Sequence, residues 1–139
     1  RLTHGEFEGV SPKVVVLMIG TNNLGLNTPE DIASGIRLIC AEINRLSPRT
    51  KILLIGIFPR GARPDANRTK LATINGLIAG MDGRNGVTFL DLGAKFLNAD
   101  GTISSEVMND YLHPTAKGYE IWAEAMAPTL NRLLDGPVK

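Results

Sequence analysis

The chain has 139 residues, enough for one domain and too few for two well-buried cores. Fifteen basic against fourteen acidic residues leave a net charge of +1, which argues against nucleic acid or an anionic membrane as the main partner, because both select a basic face. The single cysteine, Cys40, excludes an internal disulfide and a cysteine-built zinc site, and the longest apolar stretch, Val14 to Ile19, is far too short to span a bilayer.

Along the chain the hydrophobic period alternates. Lys13 to Ile19 (KVVVLMI) is a continuous β-branched apolar run ending at Gly20, and is expected to form a strand buried on both faces. Thr28 then offers a hydroxyl cap, Pro29 suits the first helical position, and Glu30 and Asp31 suit the positive end of a helix dipole. Ile32, Ile36, Ile39, Cys40, Ile43 and Leu46 follow at helical spacing until Pro48 stops the run. Lys51 to Ile57 (KILLIGI) reads as a second buried strand, broken by Phe58-Pro59. After a loop rich in Arg, Gly and Pro comes a helix from about Asn67 to Met81, with Leu71, Ile74, Ile78 and Met81 inward. Val87 to Leu90 (VTFL) is a third strand. The last helix is expected from about Pro114 to Leu134, with Ile121, Trp122, Ala125, Met126, Leu130 and Leu133 on one face and a kink at Pro128.

Strand and helix alternation with apolar strands predicts a parallel sheet with right-handed crossovers, the doubly wound α/β class in a flavodoxin-like three-layer arrangement. The whole chain, 1–139, reads as a single domain, although three strands make a thin sheet for this architecture. In open parallel sheets, ligands bind beyond the carboxyl ends of the strands. That rule selects Gly20-Thr21-Asn22-Asn23, then Phe58-Pro59-Arg60-Gly61, then the long segment past Asp91 that reaches Asp110-Tyr111-Leu112-His113-Pro114.

Asp110 and His113 form the sharpest pair. An imidazole acting as general base needs its second nitrogen held by an acceptor that fixes the tautomer, and a carboxylate three residues earlier on a tight turn can reach it. D-x-x-H equally suits a helix cap with a turn aspartate. Asn22 could donate its side-chain amide to a developing oxyanion, a contribution of roughly 3 kcal/mol in a water-poor site; Gly-Thr-Asn-Asn is also a good turn sequence. Arg60 could pair with an anionic substrate group or stay solvated, and Asp91 suits a loop cap. Met108, Tyr111 and Leu112 could wall an acyl pocket, the plain alternative for Met and Leu being core.

Taken in order, VVVLMIGTNN, ILLIGIFPRG, DGTIS and DYLHPTAKGY resemble the SGNH (GDSL-type) hydrolase superfamily over essentially the full 139 residues. Within it, the likeness is to the catalytic subunits of platelet-activating-factor acetylhydrolases and to bacterial esterases similar to them. The resemblance implies a serine ester hydrolase acting on acetyl or short-chain acyl esters, with no metal or organic cofactor. It implies that Asn22 is an oxyanion-hole donor, His113 the general base and Asp110 the carboxylate orienting that base.

The family's Gly-Asp-Ser nucleophile segment and its glycine oxyanion donor do not occur in these residues. Ser11, Ser34, Ser47, Ser104 and Ser105 lack the strand-to-helix turn that exposes a nucleophile, so none receives that role. With Arg1 rather than methionine at the start, the expectation is a C-terminal portion of the fold. About 70 residues or more, roughly two strands and their helices, would be missing, and the chain alone would be inactive. Its partners would be a small ester substrate and either the missing N-terminal segment or a second copy. A reading of another class is a non-catalytic α/β module derived from the same fold and turned to binding or assembly. The compartment is not legible.

Overall fold

The computed structural model describes residue 9 and residues 11–135. Three parallel strands, β1 (Val14–Leu17), β2 (Lys51–Ile55) and β3 (Val87–Leu90), pair in the order β1-β2-β3. Helices α1 (Pro29–Leu46), α2 (Ala66–Ala79) and α3 (Ala116–Asp135) connect and cover them. The pleat sends alternate side chains to opposite faces. Ile52 and Leu54 enter one core with Ile32, Ile36, Cys40 and Ile43 of α1 and Leu71, Ile74 and Ile78 of α2. Leu53 and Ile55 enter a second core with Phe58, Phe96 and Met108, against which Ile121, Trp122, Ala125, Met126, Leu130 and Leu133 of α3 pack. The result is the expected α/β/α layering.

The caps explain where helices begin. Thr28 Oγ1 accepts from Asp31 N at 3.1 Å with Pro29 at the first helical position, which settles the start of α1 as the residue pattern predicts. Asp65 caps α2 by accepting from Arg68 N at 3.0 Å, so that helix starts one residue before the expected Asn67 and ends at Ala79 instead of Met81. α3 begins at Ala116, two residues after Pro114, because Thr115 supplies the hydroxyl that receives Gly118 N. It continues as one helix through Pro128.

The strand burial departs from expectation. β2 is buried on both faces, but β1 is not: its Val16 is 39% exposed, and Ile19, past its end, is 37% exposed. Among the described residues β1 borders the sheet and pairs only with β2. It is also shorter than Lys13–Ile19, because Met18 and Ile19 lie beyond the last paired residue, Leu17.

Candidate active site

The carboxyl ends of the three strands release three loops, and hydrogen bonds tie these loops to one another. Gly20 ends β1's extension at φ 118, and a Cβ there would stand 2.9 Å from Ile57 Cδ1 and 3.0 Å from Ile32 Cγ2. Glycine is therefore demanded both by the backbone angle and by the close packing of α1 and β2's continuation. The turn it starts, Thr21–Asn23, is a short 3-10 helix that leaves Asn22 exposed at the sheet edge. Arg60 reaches across to this turn. Its Nη1 donates to the Thr21 carbonyl at 3.2 Å and lies 3.4 Å from Thr21 Oγ1. Gly61 N, next in the chain, donates to the Tyr111 carbonyl at 2.8 Å. Thr21, beside Asn22, is thus joined through Arg60 and Gly61 to Tyr111, which lies between Asp110 and His113.

The segment 110–113 is a tight turn organised by one carboxylate. Asp110 Oδ1 accepts from Leu112 N at 2.9 Å and His113 N at 2.7 Å, while Oδ2 meets His113 Nδ1 at 2.6 Å. Tyr111 takes up the left-handed backbone, φ 57, that closes such a turn. The imidazole beside the carboxylate and the two backbone N–H groups hold Asp110 well below the usual carboxylate range, the imidazole contact being the largest cause. The His113 side chain is 74% exposed, so with Nδ1 engaged its Nε2 edge remains open. Behind the turn, Thr115 Oγ1 donates to the carbonyls of Glu106 and Val107, and Thr115 N donates to Val107 O at 2.8 Å. Gly118 allows this approach: a Cβ there would run into the Val107 carbonyl oxygen and lie 2.9 Å from Pro114 Cβ.

Asp110 and His113 are directly paired, and the turn bearing Asn22 is tied to them through the Arg60–Gly61 strap. Leu112 is half-buried beside the pair. Met108 requires a correction. It is fully buried in the α3-side core, packed with Leu53, Ile55, Phe58 and Phe96, and offers no surface to a substrate. Arg60 is occupied by the Thr21 turn, which makes it a brace of the site edge. Asp91 caps its loop by accepting from Gly93 N at 2.9 Å.

Residue patterning overlooked the polar face of α2. Asn75 is 8% exposed, and its amide both accepts from Ile57 N (2.8 Å) and donates to Ile57 O (2.9 Å), just where β2's ladder has ended. A signal was present: Asn75 lies four residues after Leu71 and three before Ile78, a polar residue inside the apolar stripe. Lys70 Nζ donates to the Leu24 carbonyl and Arg68 to three further carbonyls, so this helix holds the loops from behind.

Residues 1–121 match the GDSL-like Lipase/Acylhydrolase family. The chain belongs to that family. This GDSL-like chain is 40% identical over 136 residues to platelet-activating factor acetylhydrolase IB subunit alpha2 of Gallus gallus, covering 97% of itself and 59% of that protein. It is 39% identical over 135 residues to the alpha1 subunit of Homo sapiens, covering 96% and 58%. The GDSL-like chain therefore spans less than two thirds of the length of the curated relatives it matches. Among solved structures, a carbohydrate esterase family 3 protein from Talaromyces cellulolyticus superposes with a TM-score of 0.75 at 21% identity, over 96% of this chain and 64% of that one. The native aryl esterase of M. smegmatis does so at 0.65 and 21%, over 95% and 64%. At such identities the structures establish the fold they share with this GDSL-like acylhydrolase. Among the described residues no helix is long and apolar enough to cross a membrane.

Proposed function

We propose that these residues supply the base, its orienting carboxylate and an oxyanion donor to a serine ester hydrolase of short acyl, chiefly acetyl, esters. The observation that carries the reading is the 2.6 Å contact of His113 Nδ1 with Asp110 Oδ2, with the Nε2 edge left open. Ionised Asp110 accepts a hydrogen bond from Nδ1–H, which keeps the proton on Nδ1 and the lone pair on Nε2. A serine Oγ attacks the ester carbonyl and gives its proton to His113 Nε2. The tetrahedral oxyanion accepts a hydrogen bond from Asn22 Nδ2. His113 returns the proton to the departing alcohol, and water, activated by the same nitrogen, releases the acid and regenerates the serine. Half-buried Leu112 would face the acyl group.

In this reading residues 1–139 are one portion of a single hydrolase domain, and the nucleophile belongs to a block outside them. The half-exposed β1 supports that division, since an apolar strand with one free edge is a site for a further strand. The partner proposed for that edge is the remainder of the domain, with pairing of two copies as the substitute when it is absent. The same edge is the observation that favours the second reading, a module used only for assembly.

The test is hydrolysis of an aryl acetate by the full-length protein, without added metal. Activity is expected there and not in the 139-residue chain, and His113→Ala should lower kcat by several orders of magnitude. Normal turnover in full-length His113→Ala would sink the assignment and leave the 110–113 segment as a helix cap.

A further inference from the structure

Arg68, in the first turn of α2, is engaged with neither Asp110 nor His113, yet the loops around them meet on it. Its Nε donates to Arg60 O at 2.8 Å, its Nη2 to Gly61 O at 2.8 Å and its Nη1 to Gly101 O at 2.7 Å. Gly61 lies at φ 84, which turns its carbonyl toward the same guanidinium as the carbonyl before it. A planar fork of five donors can satisfy three carbonyls from two loops at once, and an ammonium cannot reproduce that geometry. On its other side the strap touches both halves of the site: Gly61 N donates to Tyr111 O at 2.8 Å, and Arg60 Nη1 donates to Thr21 O at 3.2 Å. Ile103 N donates to Ala62 O at 3.1 Å, which secures the Gly101 loop to the same strap.

We infer that Arg68 is a positioning residue: by clamping the carbonyls of Arg60, Gly61 and Gly101 it sets where the Asp110–His113 turn stands relative to the Gly20–Asn23 turn. The kinetic consequence rests on the esterase reading; the geometric one does not. Without the clamp, Gly61 is free to swing, and the bond to Tyr111 that seats the left-handed turn loosens. Base and oxyanion donor then lose their common frame, and a misplacement of about 1 Å costs up to about 100-fold in rate.

The experiment compares wild type, Arg68→Met, Arg68→Lys and Cys40→Ala, the last a core truncation on α1 remote from the strap. Amide exchange and the His113 Nδ1 proton resonance are read on the chain, and kcat and KM for an aryl acetate on the full-length protein. In Arg68→Met, protection of the Gly61 amide should fall selectively, with β2 amides keeping theirs, and the Nδ1 resonance should move or broaden. Arg68→Lys should lie between, and Cys40→Ala should lower protection in the core without singling out Gly61. kcat should drop roughly 10- to 100-fold in Arg68→Met with KM nearly unchanged. If Arg68→Met does not fold, Arg68→Lys carries the same comparison. An unchanged Gly61 amide and Nδ1 resonance, or a loss matching that of Cys40→Ala, overturns the inference. If full-length wild type shows no His113-dependent hydrolysis, the esterase reading fails, and the exchange data still decide the role of Arg68.

Discussion

Replacing Asn75 by leucine should be among the most damaging single changes outside the site. Both side chains branch at Cγ and leucine is the larger, so the substitution opens no cavity, and some crowding adds to the loss of the hydrogen bonds. Asn75 satisfies both main-chain groups of Ile57, whose own exposure is only 3%. Each of those groups, left buried without a partner, costs about 1–3 kcal/mol. Gaining an apolar side chain in a site already 8% exposed returns part of one such cost, on the order of 1 kcal/mol. The expected net loss is about 1–5 kcal/mol, set against total stabilities of roughly 5–15 kcal/mol for a domain. Urea unfolding at one fixed protein concentration measures it, as a lower midpoint with the slope unchanged; fixing the concentration matters because association through β1 would itself shift the midpoint. Asn75→Asp separates the two bonds. The carboxylate still accepts from Ile57 N but opposes the Ile57 carbonyl, so it should be no better tolerated than leucine. If Asn75→Leu loses less than about 1 kcal/mol, the amide is not what satisfies Ile57, and the account of α2 as a brace for the loops fails.

Four other outcomes follow from the same coordinates. Gly118→Ala gains about 1 kcal/mol of helix propensity but drives a methyl into the Val107 carbonyl, so a net loss of about 1–2 kcal/mol is expected in urea unfolding; a stabilised variant would refute the close approach. Because Asp110 is held below its ordinary value of 3.8, its contribution to folding is fully present above that value and is lost as pH falls below it. A carbon-detected NMR titration should find Asp110 still ionised under conditions that protonate an ordinary aspartate, and His113→Ala should shrink the shift without abolishing it, since two backbone N–H donors remain. In the full-length protein, Asn22→Ala should lower kcat about 100- to 1000-fold with little change in KM, and a loss confined to KM would remove Asn22 from the oxyanion role. Val16→Lys, placing a charge on the free β1 edge, should reduce concentration-dependent association of the 139-residue chain in sedimentation; equal association would direct attention to another surface.

Much of this was legible in the residues, for identifiable reasons. β2 and α1 follow strong patterns, an unbroken apolar run and a helical stripe behind a Thr-Pro-Glu-Asp start; α1 lies where its pattern predicts, and β2 starts at Lys51 as expected but ends at Ile55, two residues before Ile57. D-x-x-H foretold the Asp110–His113 contact because the partners are three residues apart and their bond depends mostly on local backbone. What was not legible depends on long-range geometry. Burial of β1 depends on what pairs with it, which its own sequence cannot state. Arg68 and Asn75 act on carbonyls and amides of other segments, and a backbone acceptor leaves no mark in a sequence. For Met108 the structure takes the core alternative over the pocket wall, because a methionine beside the 110–113 turn and one beneath it look alike until the fold separates them.

The parallel ladder also acts as a ruler. Val14 stands opposite Lys51 and Ile52 opposite Val87, so the strands reach the loop-bearing edge at levels fixed by pairing. A slip of one residue would exchange the α1/α2 and α3 layers for every strand side chain, which ties that level to the composition of both cores. Length is therefore unequally constrained at the two ends of the sheet. An added residue in the exposed turn Asp82–Gly86, at the amino end of β3, can be absorbed without moving any loop that touches His113. An added residue between Ile55 and Gly61 would displace the strap from both of its neighbours at once. Variation in chain length among proteins sharing this architecture should accordingly collect at the amino ends of the strands and be scarce in the few residues leaving β2.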